Sequence, residues 1–141
     1  YDIGLGIPAE PLSRSRDAKG MNIGAQVHVL GYRADVADLY AASDLCAFPS
    51  IREGLGLAAV EGMASGLPML VSDNRGTRGF IGKDNGITCK YDDVDGFAEA
   101  ISTLKNNPEM RKNMGDANIL LSKEFDIKVV NQKMEEIYKM M

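Results

Sequence analysis

The sequence predicts an α/β fold: a doubly wound, mostly parallel sheet with helices on both faces. Short β-branched or apolar runs alternate with helix-patterned segments along the chain, each bounded by turn residues. Strand–helix–strand repetition of this kind is the pattern of a parallel sheet covered on both sides. Several of the runs are apolar throughout rather than alternating, as strands buried on both faces are. With 141 residues and 45% hydrophobic content the chain holds one core, so a single domain over residues 1–141 is expected.

In chain order, YDIGLG, VHVL, LCAF, MLVS and GITC read as strands. Between them PLSRSRDAKGMN, ADVADLYAA, GLGLAAVEGMA and VDGFAEAISTLK read as helices, with Asp35 and Asp93 as capping acids. PEMRKNMGDANILLSKE opens on Pro108, a good first helical residue, and IKVVNQKMEEIYKMM closes the chain. In this last helix Ile127, Val130, Met134, Ile137 and Met141 recur at spacings of three and four and form one apolar stripe. Such a stripe packs on its own sheet or docks on a partner domain, and the spacing does not choose between the two. His28, inside VHVL, reads as a packed strand residue. There is no internal repeat, low-complexity tract or linker.

Composition removes several function classes. A net charge of -4 with scattered basic residues argues against a nucleic-acid partner. Arg14, Arg16 and Lys19 read as a solvated helix face. Cys46 and Cys89 lack C-x-x-C spacing and neighbouring histidines, so they read as reduced, small apolar residues. With no charged-then-apolar leader, that cysteine usage points to the cytoplasm. Asp44, Glu53, Glu61 and Asp73 interrupt every apolar stretch before the ~18 to 20 residues that a bilayer requires. The chain starts at Tyr1, so an excised piece of a longer protein is expected.

The stretch SIREGLGLAAVEGMASGLP, residues 50–68, carries the chemistry. A buried strand leads to a loop at its carboxyl end, then to Gly54 and Gly56, then to a helix, and ligands of open parallel sheets bind at that edge. Glycines there expose main-chain N–H groups and admit a ligand closely, the helix start adds partial positive charge, and phosphate is the natural guest. Glu53 falls in the loop and Glu61 more than one turn inside a helix otherwise built of Leu57, Ala58, Ala59, Val60, Met63 and Ala64. An acid in so apolar a helix calls for donors, which the paired hydroxyls of a ribose would supply, while Glu53 faces sugar hydroxyls. On spacing alone both acids also fit ordinary exposed residues. Gly66 suits a left-handed helix end, and Pro68 bars continuation. Asp92, Asp93 and Asp95 read as a helix start rather than a metal site.

EGLGLAAVEGMASGLPMLVSD, from Glu53 through Asp73, resembles the E-x7-E segment of the retaining glycosyltransferases of the GT-B fold, a family that includes bacterial capsule and exopolysaccharide enzymes. VHVLGYRADVADLYAASDLCAFPS and NGITCKYDDVDGFAEAISTL resemble the strands, loops and helices on either side, so that roughly residues 25 to 141 align in pattern. The resemblance implies a Rossmann-like, donor-binding carboxyl-terminal domain. It implies that Glu53, the catalytic candidate, meets the transferred sugar, that Gly54, Leu55 and Gly56 present main-chain amides to sugar or diphosphate, and that Glu61 holds the ribose. Gly31, Tyr32 and Arg33 match the loop bordering the nucleotide base; Arg75, Gly76 and Thr77 follow a strand end near the cleft and are further donor-contact candidates. No metal or other cofactor is implied.

By the same resemblance the acceptor-binding amino-terminal domain is absent. So is the first β-α unit of the donor-binding half, with its diphosphate-neutralising Arg and Lys. YDIGLGIP resembles the second strand and its Gly-Pro turn. The parent protein is expected to transfer a sugar from a nucleotide-diphosphate donor to a glycan or lipid-linked acceptor. Its expected setting is surface-polysaccharide assembly at the inner face of the membrane, with peripheral association there. The piece alone is expected to bind donor without turnover and, with unpaired sheet edges, to self-associate. Two rival readings remain. Gly4, Gly6 and Ala9 spell a poor G-x-G-x-x-A, the mark of an NADP-dependent oxidoreductase module in which Arg33 would greet the 2′-phosphate. The other rival is a non-catalytic scaffold of the same fold.

Overall fold

The computed structural model describes residues 20–140. The chain divides into two compact units, Tyr1–Val36 and Ala37–Met141. YDIGLG and most of the PLSRSRDAKGMN helix lie outside the described residues, as does Met141.

In the first unit, Gln26 N–H donates to the Ile23 carbonyl at 2.9 Å, and Asn22 and Gly31 take left-handed backbone conformations with φ of 58° and 66°. Val27–Leu30 is not a strand: it joins no ladder among the described residues, and a strand without a partner has nothing to satisfy its main chain. His28 is accordingly exposed rather than packed. Arg33 forms a forked pair with Asp35, its Nε 2.7 Å from Oδ1, so the Asp35 carboxylate serves Arg33.

The second unit is built on three parallel strands in the order β1 (Cys46–Phe48), β2 (Met69–Ser72) and β3 (Gly86–Cys89). Met69 aligns with Cys46 on one side and with Gly86 on the other. Helix α1 (Val36–Ala41) precedes β1, α2 (Leu57–Ala64) connects β1 to β2, and α3 (Val94–Asn106) follows β3. Helix α4 (Pro108–Ser122), a 3-10 turn (Lys123–Phe125) and α5 (Ile127–Lys139) complete the chain.

All four residues of β2 are buried, which is why MLVS reads as unbroken apolar sequence. Met69 and Val71 pack on one face with Ala59 and Met63 of α2 and with Ile81. Leu70 alternates to the opposite face, and α3, which packs against β2 and β3, brings the buried Ala100 and Leu104. Helices thus cover both faces, as the sequence predicts.

The helix ends follow local chemistry. Asp93 caps α3 by accepting from Gly96 N–H at 2.8 Å, which accounts for the acidic cluster there. Asn107 caps α4 ahead of Pro108, accepting from Met110 N–H at 2.9 Å, and Asp126 caps α5 through Lys128 N–H at 2.8 Å. Gly66, with φ of 74°, ends α2: its N–H donates to Met63 O at 2.9 Å and Leu67 N–H to Gly62 O at 3.2 Å. Helix α4 crosses at that point so closely that a Cβ on Gly115 would lie 2.2 Å from Gly66 O.

No residue of α5 is buried. Ile127 is 67% exposed, Met134 43% and Ile137 49%, so the stripe does not pack against the sheet. Lys133 of α5 instead reaches Glu124 at 2.6 Å. No described helix is long and apolar enough to cross a membrane.

Cys46 and Cys89 are free thiols. Burial pushes the Cys46 thiol up to about 11 from its ordinary 9.0. Its folded value lies above its unfolded one. The linked stability is therefore complete below pH ~9 and lost as pH rises toward ~11, where the unfolded chain gives up its proton first. At pH 8 Cys46 is expected to react with a thiol reagent at least tenfold more slowly than the same residue in the urea-unfolded chain, since only the thiolate attacks. Equal rates, followed by mass spectrometry of the labelled peptide, would contradict the burial argument.

Candidate functional site at the carboxyl edge of the sheet

Because the strands are parallel, the chain leaves β1 and β2 at the same edge, and two loops meet there. The first runs from Pro49 through Gly56 into α2, and the second leaves Ser72. They are tied by side chains of which sequence reasoning named only Thr77, and that as a donor contact. Asn74, only 5% exposed, donates to the Ser50 carbonyl at 2.9 Å and accepts from the N–H groups of Gly76 at 2.9 Å and Thr77 at 3.1 Å. The Ser72 hydroxyl donates to the same Ser50 carbonyl, and Thr77 Oγ1 donates back to Ser72 O at 3.0 Å. No buried side-chain polar atom among the described residues lacks a partner. The one sequence signal was the abrupt change from MLV to SDN at a strand end.

On this platform the first loop carries Glu53, which is partly buried and whose Oε1 accepts from the Ser50 hydroxyl at 2.7 Å. Gly76 lies against it: a Cβ at 76 would fall 2.8 Å from Glu53 Cβ and 2.9 Å from Glu53 O. Gly54 and Leu55 are exposed beside it. Gly56 takes φ 70° and ψ 59° at the start of α2, and no side chain caps that helix. Ala59 N–H donates to Gly56 O at 2.8 Å, so the N–H groups of Leu57 and Ala58 remain donors for an anion. A side chain at 56 would meet both the left-handed strain and the Phe48 ring, 3.2 Å from an added Cβ.

Glu61 corrects an expectation. It is exposed, on a helix face shared with Leu57 and Ala64, and is not enclosed by the apolar residues around it. Helix α2 buries only Ala59, Gly62 and Met63, and alanines elsewhere are too small to screen a glutamate. Tyr40 of α1 lies alongside, its hydroxyl donating to Ala58 O at 3.0 Å. Burial raises the Tyr40 hydroxyl above its ordinary range, with the negative charges of Cys46 and Glu61 adding to the effect.

Of Arg75, Gly76 and Thr77, the last two are buried and their N–H groups are taken by Asn74, so only Arg75 stands open to a ligand. Arg78, missed in the sequence, grips Asp73 with two bonds of 2.6 and 3.1 Å and holds that carboxyl below its usual range. Gly31, Tyr32 and Arg33 belong to the first unit; Tyr32 is 99% exposed, and Arg33 is already paired with Asp35. The rival's Gly4, Gly6 and Ala9 lie outside the described residues. Among the described residues no three His, Cys, Asp or Glu side chains gather as a metal site. An open cleft of about 480 Å³, bordered by Lys83, Asn107 and Met110, lies at the opposite edge, ahead of β3.

The family model for glycosyl transferases group 1 matches residues 5–120. The putative glycosyltransferase EpsD of Bacillus subtilis strain 168 is 34% identical over 119 residues, which cover 82% of this chain and 31% of that protein. A UDP-Gal:alpha-D-GlcNAc-diphosphoundecaprenol alpha-1,3-galactosyltransferase of Escherichia coli is 29% identical, over 79% of this chain and 27% of that one. The crystal structure of Anabaena HepE in complex with UDP superposes with a TM-score of 0.90 at 24% identity, over 97% of this chain and 38% of that one. This chain spans about a third of the curated relatives it matches, 31% and 35% for two of them.

Proposed function

This chain belongs to the family of group 1 glycosyl transferases, and from that premise we propose that it is the donor-binding part of a retaining glycosyltransferase. It would hold a nucleotide-diphosphate sugar for transfer to a glycan or lipid-linked acceptor. The observation that carries this reading is the uncapped start of α2 behind a left-handed glycine, with Glu53 beside it on a braced loop.

In this reading the diphosphate meets the free N–H groups at the start of α2, whose partial positive charge offsets the charge developing on the leaving phosphate. Glu53 accepts from sugar hydroxyls. Glu61, exposed on the same helix, accepts from the ribose hydroxyls. No metal enters the scheme. The acceptor would come from the part of the protein beyond this chain, so the chain alone binds donor without turnover. Surface-polysaccharide assembly at the inner membrane face, in the cytoplasm, is the proposed setting; the name of the Escherichia coli relative, with its lipid-linked acceptor, supports it. That name also favours UDP as the nucleotide.

Calorimetric titration with UDP, GDP, ADP, their hexose esters and NADP tests the proposal. A sugar nucleotide is expected to bind, and Glu61→Ala to weaken it roughly ten- to a hundred-fold, the worth of charge-assisted hydrogen bonds. Binding of NADP alone would favour the oxidoreductase reading, and silence toward every probe the scaffold.

A further inference from the structure

We propose that Ser50 is a positioning residue that aims the Glu53 carboxylate, and that Asn74 fixes Ser50 in turn; this rests on the proposed reading of Glu53 as a sugar contact. Glu53 is followed by glycines at 54 and 56, so its own loop does little to hold it. The hold comes from elsewhere. Ser72 and Asn74, both buried at the end of β2, donate to the Ser50 carbonyl and lock that residue to the sheet. The Ser50 hydroxyl then has a single proton to give, and it gives it to Glu53 Oε1 at 2.7 Å; the Arg52 carbonyl, at 3.4 Å, is the poorer acceptor.

The consequence is directional. Oε1 is occupied, while Oε2 has no protein donor among the described residues and is the oxygen left to receive a ligand hydroxyl. Gly76 closes the other side of the residue, with no room for a side chain against Glu53 Cβ and O. A carboxylate anchored through one oxygen and walled along its backbone presents the second oxygen in one orientation, as second-layer hydrogen bonds do for other ligand-binding groups.

The test compares a nucleoside diphosphate with its sugar ester on the 141-residue chain, using calorimetry with UDP and UDP-galactose and with the GDP and ADP pairs beside them. Ser50→Ala is expected to weaken the sugar nucleotide by roughly ten- to a hundred-fold, the value of one hydrogen bond to a charged group, and to leave the bare diphosphate unchanged. Ser50→Thr, which keeps the hydroxyl, is expected to restore affinity. Asn74→Ala should show the same selective loss, and Ser50→Ala decides the matter where that variant fails to fold. An equal loss for both ligands, no loss, or no rescue by threonine overturns the positioning role while leaving the donor-binding reading intact. A wild-type chain that binds none of the pairs overturns that reading and this proposal with it.

Discussion

Asn118→Leu is expected to lower the free energy of unfolding by about 3 to 5 kcal/mol, a large part of the 5–15 kcal/mol that holds a typical domain together. Asn118 is fully buried on α4. Its Nδ2 donates to Leu67 O and Asn85 O, both at 2.7 Å, and its Oδ1 accepts from Asn85 Nδ2 at 2.8 Å. Leucine matches its size but returns none of these bonds. Asn85 retains Phe80 O at 2.9 Å, whereas Leu67 O is left without its side-chain donor in a dry interior, and an orphaned buried group of this kind costs about 1–3 kcal/mol. Urea unfolding should show a lower midpoint with an unchanged slope. A loss below about 1 kcal/mol would mean that the amide lattice is easily replaced by packing.

Gly115→Ala sets two effects against each other. Helix propensity alone favours alanine over glycine inside α4 by about 1 kcal/mol. Against it stands the Gly66 carbonyl, 2.2 Å from where the new Cβ would be. Neither side can yield locally. Gly66 is pinned in the left-handed conformation by the bonds that end α2, and Gly115 is part of a regular helix, so α4 must move as a body away from the core. Overpacking of this kind costs about 1–3 kcal/mol or more, and here the contact is main chain against an atom without rotamers. A net loss of at least about 2 kcal/mol is expected, seen as a fall of roughly 4 °C or more in Tm. An unchanged or raised Tm would show that propensity wins and that the helix seam is softer than its geometry.

Where an element is decided by its own residues, the sequence was enough. Asp93, Asn107 with Pro108, and Gly66 set helix ends by bonds that span three to five residues. LCAF, MLVS and GITC are strands because their neighbours in the sheet are of the same kind. VHVL has the same composition, yet joins no ladder, since strand formation depends on a distant partner that composition does not reveal. The site divides the same way. The turn at Gly56 and the placement of Glu53 ahead of α2 follow from local pattern. The bracing of Glu53 does not, because Ser50 and Asn74 are 24 positions apart, nor does the pairing of Asn85 with Asn118 across 33. The exposure of Glu61 was not legible for another reason: alanine counts as apolar, but it covers little.

The parallel direction of all three strands gives the two rims of this sheet different tasks. Leu67 and Asn85 precede β2 and β3, so the amide lattice with Asn118 fastens the upstream rim, while the loops that carry Glu53 and Arg75 hang from the downstream one. Exchanging the exposed residues of the downstream loops can thus change what those loops present without loosening the fastening. Substitutions at Leu67, Asn85 or Asn118 should act on folding, whereas those at exposed downstream positions such as Leu55 and Arg75 should leave it intact.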